Sequence, residues 1–464
     1  MQNERDTKHT GISRRTFLGA GAAAGAAVLT LGRRTQAAAP PKRPNILLFV
    51  ADDQGRFFTS CYGNPVMNTP NMDRLAREGL RFDQAFTPSS ICAPSRSVLY
   101  SGLYPHRNGA HTQGGRARPG TRTLPHHMES LGYKVALAGK DHVSPDSIFA
   151  FNFLETGNEH FDIPLLEDFI AGAGDDPFCL IVASKEPHTP HDSGGYEPGE
   201  LVLPGYFVDT PETRERVANY CTDINHVDQE LGDVMDMLER LGHADNTLVM
   251  FTSDHGEPMP YCKWTCYDGG IQIPFLAWWP GVVEPGRVTD ANICFTDVLP
   301  TMVDVAGGNP DPGLDGRSFL PVLTGERDTH LDAVFANHTH KDVRNGCRYP
   351  IRAVRMEGFK YIVNVEYETT FTNNVTEGAH DFDLVWNSWV KKAETDPFAA
   401  DRVRGYQHRP LEELYDLEND PCELNNVADR PEHHARIARM RRRLLGWMAQ
   451  QGDEELGRVR QQFR

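Results

Sequence analysis

From Ile46 to Ala51 the chain runs Ile-Leu-Leu-Phe-Val-Ala without a polar interruption. An apolar run this short and unalternating fits a strand covered on both faces, as in a parallel sheet. Comparable runs at Lys134–Ala138, Cys179–Ala183, Thr247–Thr252 and Ile273–Trp279 predict further buried strands. Thr69-Pro70 opens a helix that runs to Glu78, with Thr as N-cap, Pro at the first helical position and Gly79 as the stop. A longer helix is expected from about Pro211 to Leu241, where Val217, Cys221, Ile224, Val227, Leu231, Val234 and Leu238 recur at threes and fours. Strand and helix alternate over some 300 residues, so this part reads as α/β, a mainly parallel sheet flanked by helices.

Beyond about Asp342 the texture changes. Ile351–Met356 and Phe359–Val363 enclose Glu357-Gly358, the pattern of a two-stranded hairpin. Leu411–Asn426 reads as turn-rich, and Pro431–Gln450 as an Arg-heavy helix closing the chain. The expected organisation is a larger domain over 44–345 and a smaller α+β domain with an antiparallel sheet over 346–464. No internal repeat is visible.

The first residues read as an address. Ser13-Arg14-Arg15-Thr16-Phe17-Leu18 is followed by the apolar Gly19–Leu31, whose 13 residues are too few to span a bilayer, and then by small residues at 37–39. That order is the order of a twin-arginine export signal over 1–37, followed by a linker at 38–43, and it predicts a periplasmic or otherwise exported product. No later segment is long and apolar enough for a membrane helix, so no stable membrane association is expected. The whole chain carries 47 bases against 64 acids, a charge of -17; without residues 1–37 the charge is -21. Such an acidic surface repels nucleic acid. It also requires that any anionic substrate be held by a few cations inside one pocket. Nine cysteines in 464 residues do not make a disulfide scaffold.

The chemistry collects at predicted strand ends. Asp52-Asp53 directly follow the first strand, and Asp254-His255 follow the run at Thr247–Thr252. Ligands of open α/β sheets bind at the carboxyl ends of strands. Paired carboxylates there need a compensating cation, and three of them suit a hard divalent ion. Solvated loop acids are the plainer reading of either pair alone. Lys140 and His142 are two apart, which on extended backbone puts a cation and an imidazole on one side. Cys92, near Arg96, is by itself compatible with a reactive thiolate or with an inert buried thiol.

Cys92-Ala93-Pro94-Ser95-Arg96, continuing to Leu99-Tyr100-Ser101-Gly102, resembles the signature of the type I sulfatases. Ser101 departs from the Thr usual there. The resemblance runs from Pro44 to about Ala428 and implies an alkaline-phosphatase/sulfatase-like fold. It implies that a formylglycine-generating or other maturing enzyme oxidises Cys92 to formylglycine, an aldehyde. One hydroxyl of the hydrated aldehyde would attack sulfur, and the other would later expel sulfate. It also implies that Asp52, Asp53, Asp254, His255 and the modified Cys92 bind calcium. The imidazole of His255 leaves zinc as a second choice. Arg96, Lys140, His142, His188 and Lys263 are implied around the sulfate and the nucleophile, with a protonated His142 or His188 as acid toward a leaving amine. Cys262 and Cys266 read as structural, and His106, His111, His126 and His127 as loop or packing residues.

Gly139–Pro145, Pro258-Met259-Pro260 and Arg348–Val354 look most like the heparan N-sulfatases (sulfamidases) within that family. The expected substrate is therefore a sulfated saccharide, with N-sulfoglucosamine first. His340, Asp342 and Arg352 are candidates to grip the sugar, against a plain reading as an exposed polar loop. The alternatives are a carbohydrate O-sulfatase, a phosphate or phosphonate ester hydrolase of the same superfamily, and a non-catalytic binder of sulfated glycans.

Overall fold

In the computed structural model the described residues are 43–154, 160–339, 346–378 and 382–464. The signal, nearly all of the linker, His340 and Asp342 lie outside them. In chain order the strands are β1 (Asn45–Ala51), β2 (Leu80–Phe82), β3 (Ala85–Phe86), β4 (Lys134–Gly139), β5 (Asn152–Leu154), β6 (Phe178–Ala183), β7 (Thr247–Ser253), β8 (Phe275–Trp278), β9 (Arg287–Thr289), β10 (Ile293–Cys294), β11 (Val334–His338), β12 (Ile351–Met356), β13 (Phe359–Asn364) and β14 (Glu412–Asp416). Eight of them form one sheet in the order β5-β4-β6-β1-β7-β8-β2-β9. Only β8 runs against its neighbours.

The sheet core explains the apolar runs. Ile46, Leu48 and Val50 of β1 enter one cluster, with the helix around Leu99 and Tyr100. Leu47, Phe49 and Ala51 enter another on the opposite face, with Val227, Leu231, Val234 and Leu238 of the helix Pro211–Arg240. Both faces are covered, so alternation has no use here. Each such side chain contributes ~1.5–3 kcal/mol. The first turns of the same long helix leave the sheet: Val217, Tyr220, Cys221 and Ile224 pack with the loop residues Phe58 and Tyr261.

The second sheet is antiparallel, ordered β11-β12-β13-β14. Glu357 and Gly358 both have positive φ (51° and 73°) and close the β12–β13 hairpin with Met356 opposite Phe359, the backbone of a two-residue loop matched to strand twist. Two expectations are corrected here. Leu411–Asn426 contains the edge strand β14, whose Leu414 is buried although polar neighbours mask the pattern. The helix His434–Gln451 buries Ile437, Met440, Leu444, Trp447 and Met448, but it does not close the chain: Gly452 caps it at φ 66° and Leu456–Gln462 forms another helix. Strand β11 precedes residue 346, so the second sheet draws on chain from both sides of that position. Residues 43–464 form one compact unit.

Candidate active site

Four neighbouring strands fix the site. β4, β6, β1 and β7 are adjacent and mutually parallel, so their carboxyl ends share one edge of the sheet. Ala51 lies opposite Ser253, and Gly139 opposite Ala183. Asp52-Asp53, Asp254-His255, Lys140 and the Lys185–His188 turn therefore leave from adjoining tips. Gly139 has φ 85°, and a Cβ there would sit 2.1 Å from the Ala183 carbonyl oxygen, so only glycine lets β4 turn into Lys140. Cys92 is the first residue of a helix, Cys92–Ser101, in which every residue is buried.

The side chains converge. Cys92 Sγ lies 3.2 Å from His255 Nε2 and 3.8 Å from Asp53 Oδ1. Asp53, Cys92 and His255, and likewise Asp52, Cys92 and Asp254, each offer donor atoms within 4.8 Å of one another. Arg96 donates from Nε to Asp254 Oδ2 (3.0 Å), from Nη2 to Asp52 Oδ1 (3.4 Å) and from Nη1 to the Lys140 carbonyl (3.0 Å). Lys140 pairs with Asp52, and Lys263 Nζ lies 2.7 Å from both oxygens of Asp53. His255 Nδ1 donates to the Gly256 carbonyl (2.9 Å), which aims Nε2 at the cluster, 3.1 Å from Asp53 Oδ1; burial works against its charge, but Asp254 and Asp53 raise the imidazole to about 9.

The four backbone amides from Asp52 to Gly55 are all paired. The Asp52 amide donates to the Glu186 carbonyl (2.9 Å), Asp53 to Asp254 Oδ1 (3.0 Å), Gln54 to Ser253 Oγ (2.8 Å) and Gly55 to Tyr220 Oη (2.8 Å). Asp53 itself takes φ 71°, rare for a residue with a Cβ.

Charge in this buried cluster is finely set. Burial works against every ionised group, yet Lys140, His188 and Arg96 hold Asp52 well below the usual carboxylate range. Lys263 and His255 lower Asp53. Burial, helped by Asp52, lifts Asp254 to about 7. Burial raises the Cys92 thiol, but Lys263, Lys140 and His255 more than offset it and bring the group down to about 7. Three carboxylates, an imidazole nitrogen and a thiol are a donor set that fits a divalent cation.

The sulfatase family matches residues 44–308, well over half of the chain. The chain belongs to the sulfatase family. Residues 256–377 also match the family described as the C-terminal part of N-sulphoglucosamine sulphohydrolase. An ulvan-active sulfatase of Formosa agariphila is 33% identical over 424 residues, 89% of this chain and 81% of the relative. N-sulphoglucosamine sulphohydrolase of Homo sapiens is 29% identical, over 87% of this chain and 89% of the relative. Among solved structures, a phosphonate monoester hydrolase of Agrobacterium radiobacter superposes with TM-score 0.68 at 21% identity, covering 88% of this chain and 96% of that one. Sulfatases generally use a formylglycine and a divalent metal, and the cluster above is where this sulfatase has the donors for them.

Beyond the cluster, the sulfatase departs from its sequence reading in two places. His142 has φ 48°, so the backbone is no longer extended, and the period-two argument for Lys140 and His142 does not apply. Lys140 goes to Asp52, whereas His142 Nε2 accepts from Gln113 Nε2 (3.2 Å); Gln113 Oε1 in turn accepts the Ala93 amide (3.4 Å). His142 therefore carries its proton on Nδ1, and burial, with Lys140 and Arg96 nearby, lowers it to about 4. It is neutral at pH 7 in this structure. His188 is half-buried, with Nδ1 donating to the Thr189 carbonyl (3.0 Å).

Arg352 is turned inward rather than toward a sugar. It is 0% exposed, paired through Nε and Nη2 with Asp453 and held by the His338 carbonyl (3.1 Å) and His106 Nε2 (3.0 Å). A cation so enclosed is committed to the β12–helix packing. His106, also stacked on His111 at 4.7 Å, is driven to about 3 by burial and by Arg352, so it is a neutral acceptor in the fold. An unfolded His binds its proton near 6.5. The unfolded state thus gains a proton first on acidification, and stability falls as pH drops from about 6.5 to 3. Denaturant titrations of His106→Gln are expected to lose about 1.4 kcal/mol per pH unit of that dependence.

Gln113, Tyr220 and Ser253 escaped the sequence reading. Gln113 lies away from the motifs, Tyr220 reads as helix core, and Ser253, directly before Asp254, is an ordinary strand-end hydroxyl; nothing in their local pattern marks them. The nine cysteines are free thiols; Cys262 Sγ donates to Glu257 Oε1 (3.1 Å), while Cys266 is buried. His126 forms a capping box with Thr123 at the helix Leu124–Ser130.

Proposed function

We propose that this protein is an exported sulfatase that removes sulfate from a sulfated saccharide, with N-sulfoglucosamine as the preferred unit. The observation that carries the reaction is the convergence of Cys92 with Asp52, Asp53, Asp254 and His255 at one sheet edge. The match of residues 256–377 supports the substrate. Residues 1–37 support export by the twin-arginine machinery.

Cys92 is the residue converted, and its formylglycine hydrate supplies a nucleophilic hydroxyl and a second one that can release sulfate without water attack at sulfur. Asp52, Asp53, Asp254 and His255 would hold calcium, which polarises the sulfate and favours the ionised hydroxyl. Lys140 and Lys263 bring buried positive charge to the spot where an otherwise acidic protein must accept an anion. Arg96 ties Asp52 to Asp254 and fixes their spacing. His142, neutral, offers its buried Nδ1–H as a hydrogen-bond donor, and Gln113 sets that tautomer. His188 is left as the proton donor toward the departing amine.

A second reading has its own support. The ulvan-active relative shares 33% identity, so an O-sulfated polysaccharide competes with the N-sulfated sugar. Incubation with N-sulfated and 6-O-sulfated glucosamine, with release of sulfate measured for each, separates the two. Release from the sulfamate alone is expected; release from the ester alone contradicts the N-sulfate assignment. Phosphonate hydrolysis shares the fold and is tested in the same assay with a phosphonate monoester.

A further inference from the structure

We infer that Tyr220 is a positioning residue for the cation site, acting through the backbone of Asp53. This rests on the proposed role of Asp53 as a ligand. Its hydroxyl donates to the Asp53 carbonyl (2.7 Å) and accepts from the Gly55 amide (2.8 Å). One oxygen thereby spans the three residues at whose start the chain takes the left-handed φ of 71°. The other amides of this turn are held from β7 and from the Lys185–His188 turn; Tyr220 is the clamp supplied by the long helix.

The clamp is itself immobilised. Tyr220 is 3% exposed, and its ring meets Phe58 edge-on at 5.2 Å and His191 at 5.6 Å. His191 is fixed in turn by Asp223 Oδ2, 2.6 Å from its Nδ1. Asp223 lies three residues beyond Tyr220, just under one helical turn on the same helix. A rigid helix that also packs under the sheet thus reaches up to hold one strained turn. Left without this hydroxyl, the Asp53 carbonyl and Gly55 amide lose their partner inside the protein, and relaxing φ would swing the Asp53 carboxylate away from Asp254 and His255. Outer partners of this kind tune metal affinity without touching the metal.

The test is calorimetric titration of calcium into the chelator-stripped full chain and into two variants, with thermal midpoints measured for each. Tyr220→Phe keeps the ring and removes only the hydroxyl. Tyr133→Phe is the control: its hydroxyl donates to the Pro44 carbonyl (2.8 Å) at the opposite end of β1, also from a buried ring. Both variants are expected to melt a few degrees lower. Only Tyr220→Phe is expected to bind calcium more weakly, by about tenfold, with turnover restored at high calcium. Equal affinity in Tyr220→Phe and the unsubstituted chain overturns the inference, as does equal weakening in both variants. Absence of calcium binding by the unsubstituted chain overturns the ligand assignment as well.

Discussion

Cys92→Ala is expected to lower sulfate release by at least about 10⁴-fold while leaving the thermal midpoint nearly unchanged. The asymmetry follows from what the side chain touches. Cys92 is 2% exposed, its sulfur faces the polar His255 and Asp53, and its helix is held by other bonds. Ser95 Oγ donates to the Asp254 carbonyl (2.6 Å), and Arg96 reaches both strand tips. Removing one sulfur therefore costs little packing, whereas the proposed chemistry has no other nucleophile. A steady-state assay beside a thermal melt checks it. Turnover within tenfold of the unsubstituted enzyme, in a folded variant, removes Cys92 from the mechanism.

Asp53→Asn carries the second large effect, and it acts on stability as well as turnover. The substitution keeps shape but leaves Lys263 Nζ, 6% exposed, without the carboxylate that faces it through both oxygens. Breaking a buried pair from one side typically costs ~3–5 kcal/mol. Relief of repulsion near Asp52 and Asp254 offsets part of this, so a loss of about 3 kcal/mol is expected in the metal-free chain. Calcium at 100 times its dissociation constant stabilises a binding-competent chain by about 2.7 kcal/mol. The unsubstituted chain should show that rise in denaturant melts, and Asp53→Asn should not. Its turnover should fall more than the about 100-fold that loss of an outer partner can cost.

The tips of the sheet were legible for a physical reason. A strand buried on both faces writes a mainly apolar run, and the first charged residues after it, Asp52 and Asp254, must lie at its carboxyl end. Parallel neighbours then bring those ends together whatever their distance along the chain. The run after β7 is thus placed by pattern alone, whereas the cysteine motif is placed by its resemblance to the family signature. What sequence pattern could not carry was direction off the strands. Lys140 and His142 diverge because one positive φ breaks the alternation. Arg352 sits on β12 as an ordinary alternating polar residue, and only the buried Asp453, about a hundred residues later, makes it an interior ion pair. Tyr220 lies on the apolar stripe of its helix, where a tyrosine reads as core; its hydroxyl gains meaning only when the helix end is seen against Asp53.

The most direct single measurement is the mass of the tryptic peptide Phe82–Arg96 from enzyme purified out of its native host and shown to release sulfate. An aldehyde in place of the thiol at position 92 is the predicted result. A sulfate-releasing preparation whose peptide carries only the unmodified thiol would contradict the account at its root.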